Sequence, residues 1–297
     1  MIERFLIDQK STWVIVTIPV ESELSELRTQ LADEILNYAL DSNERARVEY
    51  DTYTHTLLII FNAVLPSLVD QHYETAPVAL IITDGQMFSF LSDQTAFIAD
   101  KIRVILTEHR SRYLALFELL FQLSEDYFGD IEVTNRQRRA VAEKLRHQTT
   151  TPNLLALSDL EQSLVYLLTA SKANVISLNQ LRTLQPIRQL TGIETERLDD
   201  VIIEAKQAVE MAQLTTDVIE RLSVTYNNVL NNNLNNTMKF LTVWSLVLTI
   251  PTIVTGFFGM NVPLPLVKNM YAWEITIGIT IILAVSMMIS FWKHHLL

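Results

Sequence analysis

The chain has no cysteine among its 297 residues. That excludes disulfides and thiolate metal sites and suits a reducing compartment. Glycine is scarce at six residues, and Gly256, Gly259 and Gly278 all fall in the last 58 residues. What remains cannot build a glycine-rich phosphate loop. No Ser/His/Asp set or metal-ligand cluster stands out either, so neither an enzyme, a nucleotide partner nor an organic cofactor is expected. Basic residues are also few, 23 against 34 acidic. Only Lys268, Lys293 and Glu274 follow residue 239, which leaves 21 basic and 33 acidic groups in residues 1–239. Such a surface disfavours nucleic acid, which needs basic side chains for its phosphates, and suits a domain that meets cations. The N-terminal MIERFLIDQK lacks a basic region followed by an apolar stretch. No signal peptide is expected, and the domain is expected to stay in the cytosol.

Charge is absent altogether from two further stretches. Phe240 to Phe258 and Ile275 to Trp292 are 19 and 18 residues long without one charged side chain. About 20 helical residues cross a hydrocarbon core about 30 Å thick. A lone segment satisfies its own backbone in lipid only as a helix, so both read as membrane spans. Lys239 and Lys293 flank the pair in agreement with a cytosolic placement of both ends.

The first third mixes strand and helix signals. Thr12 to Ile18, Thr54 to Val64 and Val78 to Leu91 are rich in β-branched and aromatic residues, and Asp84-Gly85 splits the last as a hairpin turn. Ser22 to Leu40 reads as one helix with apolar positions at Leu24, Leu27, Leu31, Ile35 and Leu36. From about Thr107 the strand signal ends. Arg110 to Arg146 is helical, Thr150-Thr151-Pro152 interrupts it, and Ser158 to Glu161 has the capping-box pattern of a new helix start. Another begins near Thr191 or Glu194. Proline is then absent from 187 to 250 and glycine from 193 to 255. A helix from Glu194 to Phe258 would reach roughly 100 Å at about 1.5 Å per residue. The expected class is α+β: an α/β domain at 1–107, a helical region and stalk at 108–239, and a first span at 240–258. A loop at 259–274, a second span at 275–292 and a tail at 293–297 complete it.

Along the first span, Asn235, Met238, Thr242, Ser245, Thr249, Thr252, Gly256 and Gly259 recur at alternating steps of three and four. A 3.5-residue repeat keeps one seam on a common axis in a bundle. Apart from Met238 the seam is small, hydroxylated or amide. Two readings are open: a polar pore lining shared among subunits, or close helix packing through small residues. The seam ends in a loop that opens Gly259-Met260-Asn261. With two spans per chain, a conducting protein must oligomerise around the first, with closed cyclic symmetry the default.

These residues resemble the CorA family of divalent-cation channels, whose signature is Gly-Met-Asn after the first of two terminal spans. Asn235 to Thr242 and Pro251 to Phe258 also look like the family's pore helix. The resemblance implies a funnel-shaped homopentamer in a bacterial-type plasma membrane, conducting Mg2+ inward and gated by cytosolic Mg2+. Asn261 would form the outer ring that receives the hydrated ion, with Gly259, Met260, Gly256, Thr252, Thr249, Ser245, Thr242 and Asn235 lining the path. Met238 and Leu241 would be the hydrophobic constriction, and Glu34 and Asp200 a regulatory Mg2+ pair. The loop departs from the family by reading Val262-Pro263-Leu264-Pro265-Leu266 where an acidic segment is usual, and Pro251 is displaced by one position. The rival ions are Co2+, Ni2+ and Zn2+. Met260 argues against the zinc-transporting branch, and of six histidines only His294 and His295 adjoin. A non-conducting membrane scaffold or sensor is the alternative of another class.

Overall fold

A computed structural model describes residues 1–7, 11–66, 72–108, 111–147, 150–260 and 270–293. The chain divides into two compact units, Met1–Ser223 and Val224–Leu297.

The first unit is built on six strands: β1 (Ile2–Leu6), β2 (Thr12–Thr17), β3 (Arg47–Asp51), β4 (Thr56–Val64), β5 (Thr75–Ile82) and β6 (Gln86–Leu91). Their order is β1-β2-β6-β5-β4-β3, with β2 and β6 parallel and all other neighbours antiparallel. Asp84-Gly85 joins β5 to β6, where the Thr83 N–H donates to the Gln86 carbonyl at 2.9 Å. Alternate side chains of a strand point to opposite faces, and here both faces are buried. Trp13, Ile15, Ile59, Phe61 and Leu80 serve one core, and Val14, Val16, Ile60, Ile81 and Phe88 the other.

The second of these cores is closed by α1 (Glu21–Leu27) and α2 (Asp33–Leu40) through Leu27, Leu31 and Leu36. The expected single helix from Ser22 to Leu40 is therefore two. Thr29 and Gln30 N–H groups donate to Glu26 and Leu27 carbonyls in a tight turn, and the break brings Leu36 onto the sheet. The first core is closed by α3 (Ile98–Glu108), α4 (Arg112–His147), α5 (Thr151–Thr183), the short α6 (Gln185–Arg188) and the start of α7 (Gly192–Phe258). α5 starts at Thr151 with Pro152 in its first turn, where a missing N–H costs nothing. Ser158 lies inside that helix and caps nothing at its start. A capping box does open α7: Thr191 N–H and Oγ1 donate to Glu194 Oε2 at 3.0 and 2.9 Å.

Helix and sheet are pinned together at one buried polar point. Asn62 of β4 lies past the end of β3 and opposite Pro77, so its backbone lacks a strand partner there. Asn174 of α5, fully buried, replaces that partner. Its Oδ1 accepts from the Asn62 N–H and its Nδ2 donates to the Asn62 carbonyl, both at 2.9 Å. The Tyr127 hydroxyl donates to the same carbonyl at 2.8 Å and accepts from Asn174 at 3.2 Å. Asn174→Ala leaves buried groups unpaired and is expected to destabilise the protein by about 2–4 kcal/mol, against about 1 for Tyr127→Phe. Denaturant midpoints of the full chain check the difference; equal costs would contradict it.

The second unit holds the end of α7 and α8 (Ala272–Lys293). Both helices are long and apolar enough to cross a membrane. On α7, Val243 and Val254 are buried and Val247 and Ile250 half-buried; on α8 the half-buried line is Ala272, Thr276, Thr280, Ala284, Met287 and Phe291. Both lines recur at helical spacing.

Candidate pore-lining site

Every member of the seam from Asn235 to Gly259 is solvent-exposed in the single chain, together with Met260 and Leu241. The covered line Val243, Val247, Ile250 and Val254 is a different face. Among the described residues the seam is thus left uncovered. Asn261 and the rest of the loop through Asn269 lie outside the described residues, as do His294 and His295.

The hydroxyls on this face have a common orientation. Thr242 Oγ1 donates to the Met238 carbonyl and Thr249 Oγ1 to the Ser245 carbonyl, each at 2.8 Å, and Thr252 Oγ1 to the Leu248 carbonyl at 3.2 Å. Each of these three threonine hydroxyls has spent its one proton on its own helix, so what it offers outward is acceptor lone pairs. Acceptors are what the waters around a cation require. The seam holds no carboxylate, so nothing on it would grip a divalent ion tightly.

The helix end adds partial charge of the same sense. α7 finishes at Phe258, where the Gly259 N–H donates to the Thr255 carbonyl at 2.9 Å and Met260 to Phe257 at 3.4 Å. The C-terminal end of a helix carries roughly half a negative charge. A Cβ added at Gly256 meets nothing within 4 Å, whereas one at Gly259 meets the Thr255 carbonyl oxygen at 3.1 Å. A side chain is therefore crowded at Gly259, whereas at Gly256 its Cβ is unhindered.

Glu34 and Asp200 are not brought together within one chain. Glu34 is in the first turn of α2, on the side of the sheet closed by Leu36, beside Glu49 and Asp51 around a cavity of about 130 Å³. Asp200 is on the other side, next to Val201 in the opposite core, and lies 3.5 Å from Arg197. Arg197 in turn pairs with Glu118 at 2.5 Å and stacks over Phe121. Among the described residues no group of three or more acidic or histidine side chains is placed to hold a metal.

One carboxyl that the sequence did not flag is perturbed. Burial in α4, and then the neighbouring Asp126, push Asp130 up to about 6, while Asp126 itself holds Lys101 at 2.9 Å. A raised folded-state value means its stabilising contribution is complete below the ordinary value near 3.8 and is lost as pH rises through about 6. Asp130 is only partly buried, so the effect is about 1 kcal/mol after solvent screening. Asp130→Asn should therefore raise Tm by about 2–4 °C at pH 8 and by little at pH 5. An equal gain at both would contradict the assignment.

The sequence matches the family described as CorA-like Mg2+ transporter protein over residues 8–293. The chain belongs to the CorA family. Among its curated relatives is the cobalt/magnesium transport protein CorA of Methanocaldococcus jannaschii, 23% identical over 286 residues, covering 93% of this chain and 88% of that one. The complete structure of the CorA magnesium transporter from M. jannaschii superposes with a TM-score of 0.82 at 22% identity, over 96% of this chain and 90% of that one. The full-length CmaX protein shares the fold at a TM-score of 0.73 and 15% identity, over 93% and 88% of the two chains. CorA proteins are membrane transporters of divalent cations, and the two C-terminal helices of this chain fit that architecture.

Proposed function

We propose that the chain forms a homopentamer whose α7 seams line a pore for hydrated Mg2+, entering the cytosol down its electrochemical gradient. The observation that carries this reading is the seam itself: an exposed line in which Thr242, Thr249 and Thr252 turn acceptors outward. Mg2+ releases its waters reluctantly, so a path of neutral acceptors that binds the water shell suits it. Asn261 would take the hydrated ion first, aided by the five helix ends, which supply negative potential that the loop's missing acidic segment does not. Gly259, Met260, Gly256, Thr252, Thr249, Ser245, Thr242 and Asn235 would follow as stations, and Met238 and Leu241 would close the path by dewetting. Both termini would be cytosolic, in a plasma membrane of bacterial type. A potential of 100 mV is worth about 4.6 kcal/mol to a divalent cation, so no nucleotide hydrolysis is required.

Gating by cytosolic Mg2+ at Glu34 and Asp200 would need carboxylates from neighbouring chains, since one chain keeps them on opposite sides of its sheet. Co2+ is the second candidate ion, supported by the cobalt/magnesium designation of the M. jannaschii relative. Zn2+ is disfavoured because its inner-sphere ligands, clustered thiolates or imidazoles, are missing from the seam.

Thr249→Val keeps the side-chain volume and removes the outward acceptor. It should lower Mg2+ flux about tenfold with the oligomer unchanged, the loss of roughly 1.4 kcal/mol of stabilisation along the path. Unaltered flux in a folded Thr249→Val oligomer would mean that the seam packs helices and lines nothing.

A further inference from the structure

Beyond ion conduction, we propose that the unit Met1–Ser223 carries a binding site for a small zwitterion with an apolar or aromatic side chain, of which an amino acid is the simplest example. A cavity of about 550 Å³ opens where the β3–β4 turn, the β5–β6 turn, the start of α4 and the α5–α7 junction meet. Sites for small organic ligands have this size, apolar walls and a few placed polar groups. Here the lining is mixed: Tyr50, Tyr113, Pro186 and Leu190 supply aromatic and apolar surface over the buried Leu57 and Ile82, and His55, held to the Tyr50 hydroxyl at 3.0 Å, stands among the polar groups.

The charged groups on the cavity are arranged as an unpaired couple. Arg112 is pinned to the β5–β6 turn by donating from Nη1 to the carbonyls of Thr83 and Asp84, at 3.1 and 3.3 Å. Its guanidinium carbon lies 4.9 Å from the centre of the Tyr113 ring. The Asp84 side chain belongs to the same turn, yet among the described residues no ion pair joins it to Arg112. A guanidinium fixed in place with donors to spare matches a carboxylate, and the carboxylate of the turn it grips matches an ammonium group. The remaining acid, Glu194, is already committed: it accepts from Ser111 Oγ at 2.6 Å and twice from Thr191. Asp84 and Glu194 would repel a polyanion, and a simple cation would leave Arg112 without a counter-charge. Gln185 and Gln189, about one helical turn apart on the rim, add amides that can donate to the ligand or accept from it.

Calorimetric titration of the full-length protein in detergent with L-phenylalanine and L-leucine tests the site. Saturable binding is expected, weakened at least about tenfold for phenethylamine and for 3-phenylpropionate, which each lack one of the two charges. Arg112→Gln and Asp84→Asn should each weaken L-phenylalanine binding to a similar degree. Asn-Gly is as good a turn dipeptide as Asp-Gly, so a loss in Asp84→Asn is not a folding defect. The proposal is overturned if neither amino acid binds wild type up to about 10 mM. It is overturned equally if the one-charge analogues bind as well, or if both substitutions leave binding unchanged.

Discussion

Asn261→Ala is expected to cut Mg2+ flux at least about 100-fold while leaving the oligomer intact. The substitution removes one amide per chain, and in a pentamer one ring of five. On the proposed reading each carbonyl would accept from the hydration shell of the ion, and hydrogen bonds of this kind contribute about 1 kcal/mol apiece. Losing several at once costs the ion more than any single station further along. Asn261 follows directly in sequence on Met260, which is exposed just past the end of α7. Uptake into dye-loaded proteoliposomes, with the assembly checked by light scattering, reads both quantities. Wild-type flux in this variant would remove Gly-Met-Asn from the selective step.

Gly256→Leu should have an effect of similar size for a different reason. Within the chain the substitution starts in open space: Gly256 is exposed and a Cβ there meets no atom from outside its own helical turn within 4 Å. It also removes a helix-interior glycine, worth about 0.8–1 kcal/mol in helix propensity. Thermal stability should therefore hold or rise. Around a common axis, however, one leucine per chain fills the lumen, and flux should fall to background. If the seam instead packs one helix closely on another, the bulk would break the assembly, and the oligomer would dissociate. Gly259 is a poorer probe, since the 3.1 Å approach of a Cβ to the Thr255 oxygen confounds helix-end strain with occlusion.

The long helix was legible because nothing could stop it: no proline or glycine interrupts residues 193–250, and Pro251 is tolerated in a segment whose neighbours are hydroxylated and apolar. The membrane helices were legible for the same kind of reason, the absence of charge. Boundaries set by tertiary contacts were not. The chain breaks between α1 and α2 at Thr29 to Ala32 without any helix-breaking residue, because Leu27, Leu31 and Leu36 must all reach one sheet face. Strand β3 reads RVEYD, with two acids and an arginine, and is an edge strand whose pairing with β4 outweighs its composition. Ser158 to Glu161 has the letters of a capping box, but Pro152 at a helix start is the stronger signal. The Asn174–Asn62–Tyr127 bond network joins residues 112 apart in sequence, a pairing that no local pattern announces. Asp130 acquired its perturbed carboxyl in the same way, from burial created by packing.

The central claim is that a Mg2+-conducting path runs along the α7 seam. Its most direct test is Mg2+ entry into nucleotide-free proteoliposomes carrying the wild-type chain, under an imposed negative-inside potential. Entry that grows with the potential and is lost in Gly256→Leu is the predicted result. A folded oligomer that passes no Mg2+ at any potential, even with internal Mg2+ removed, would contradict it.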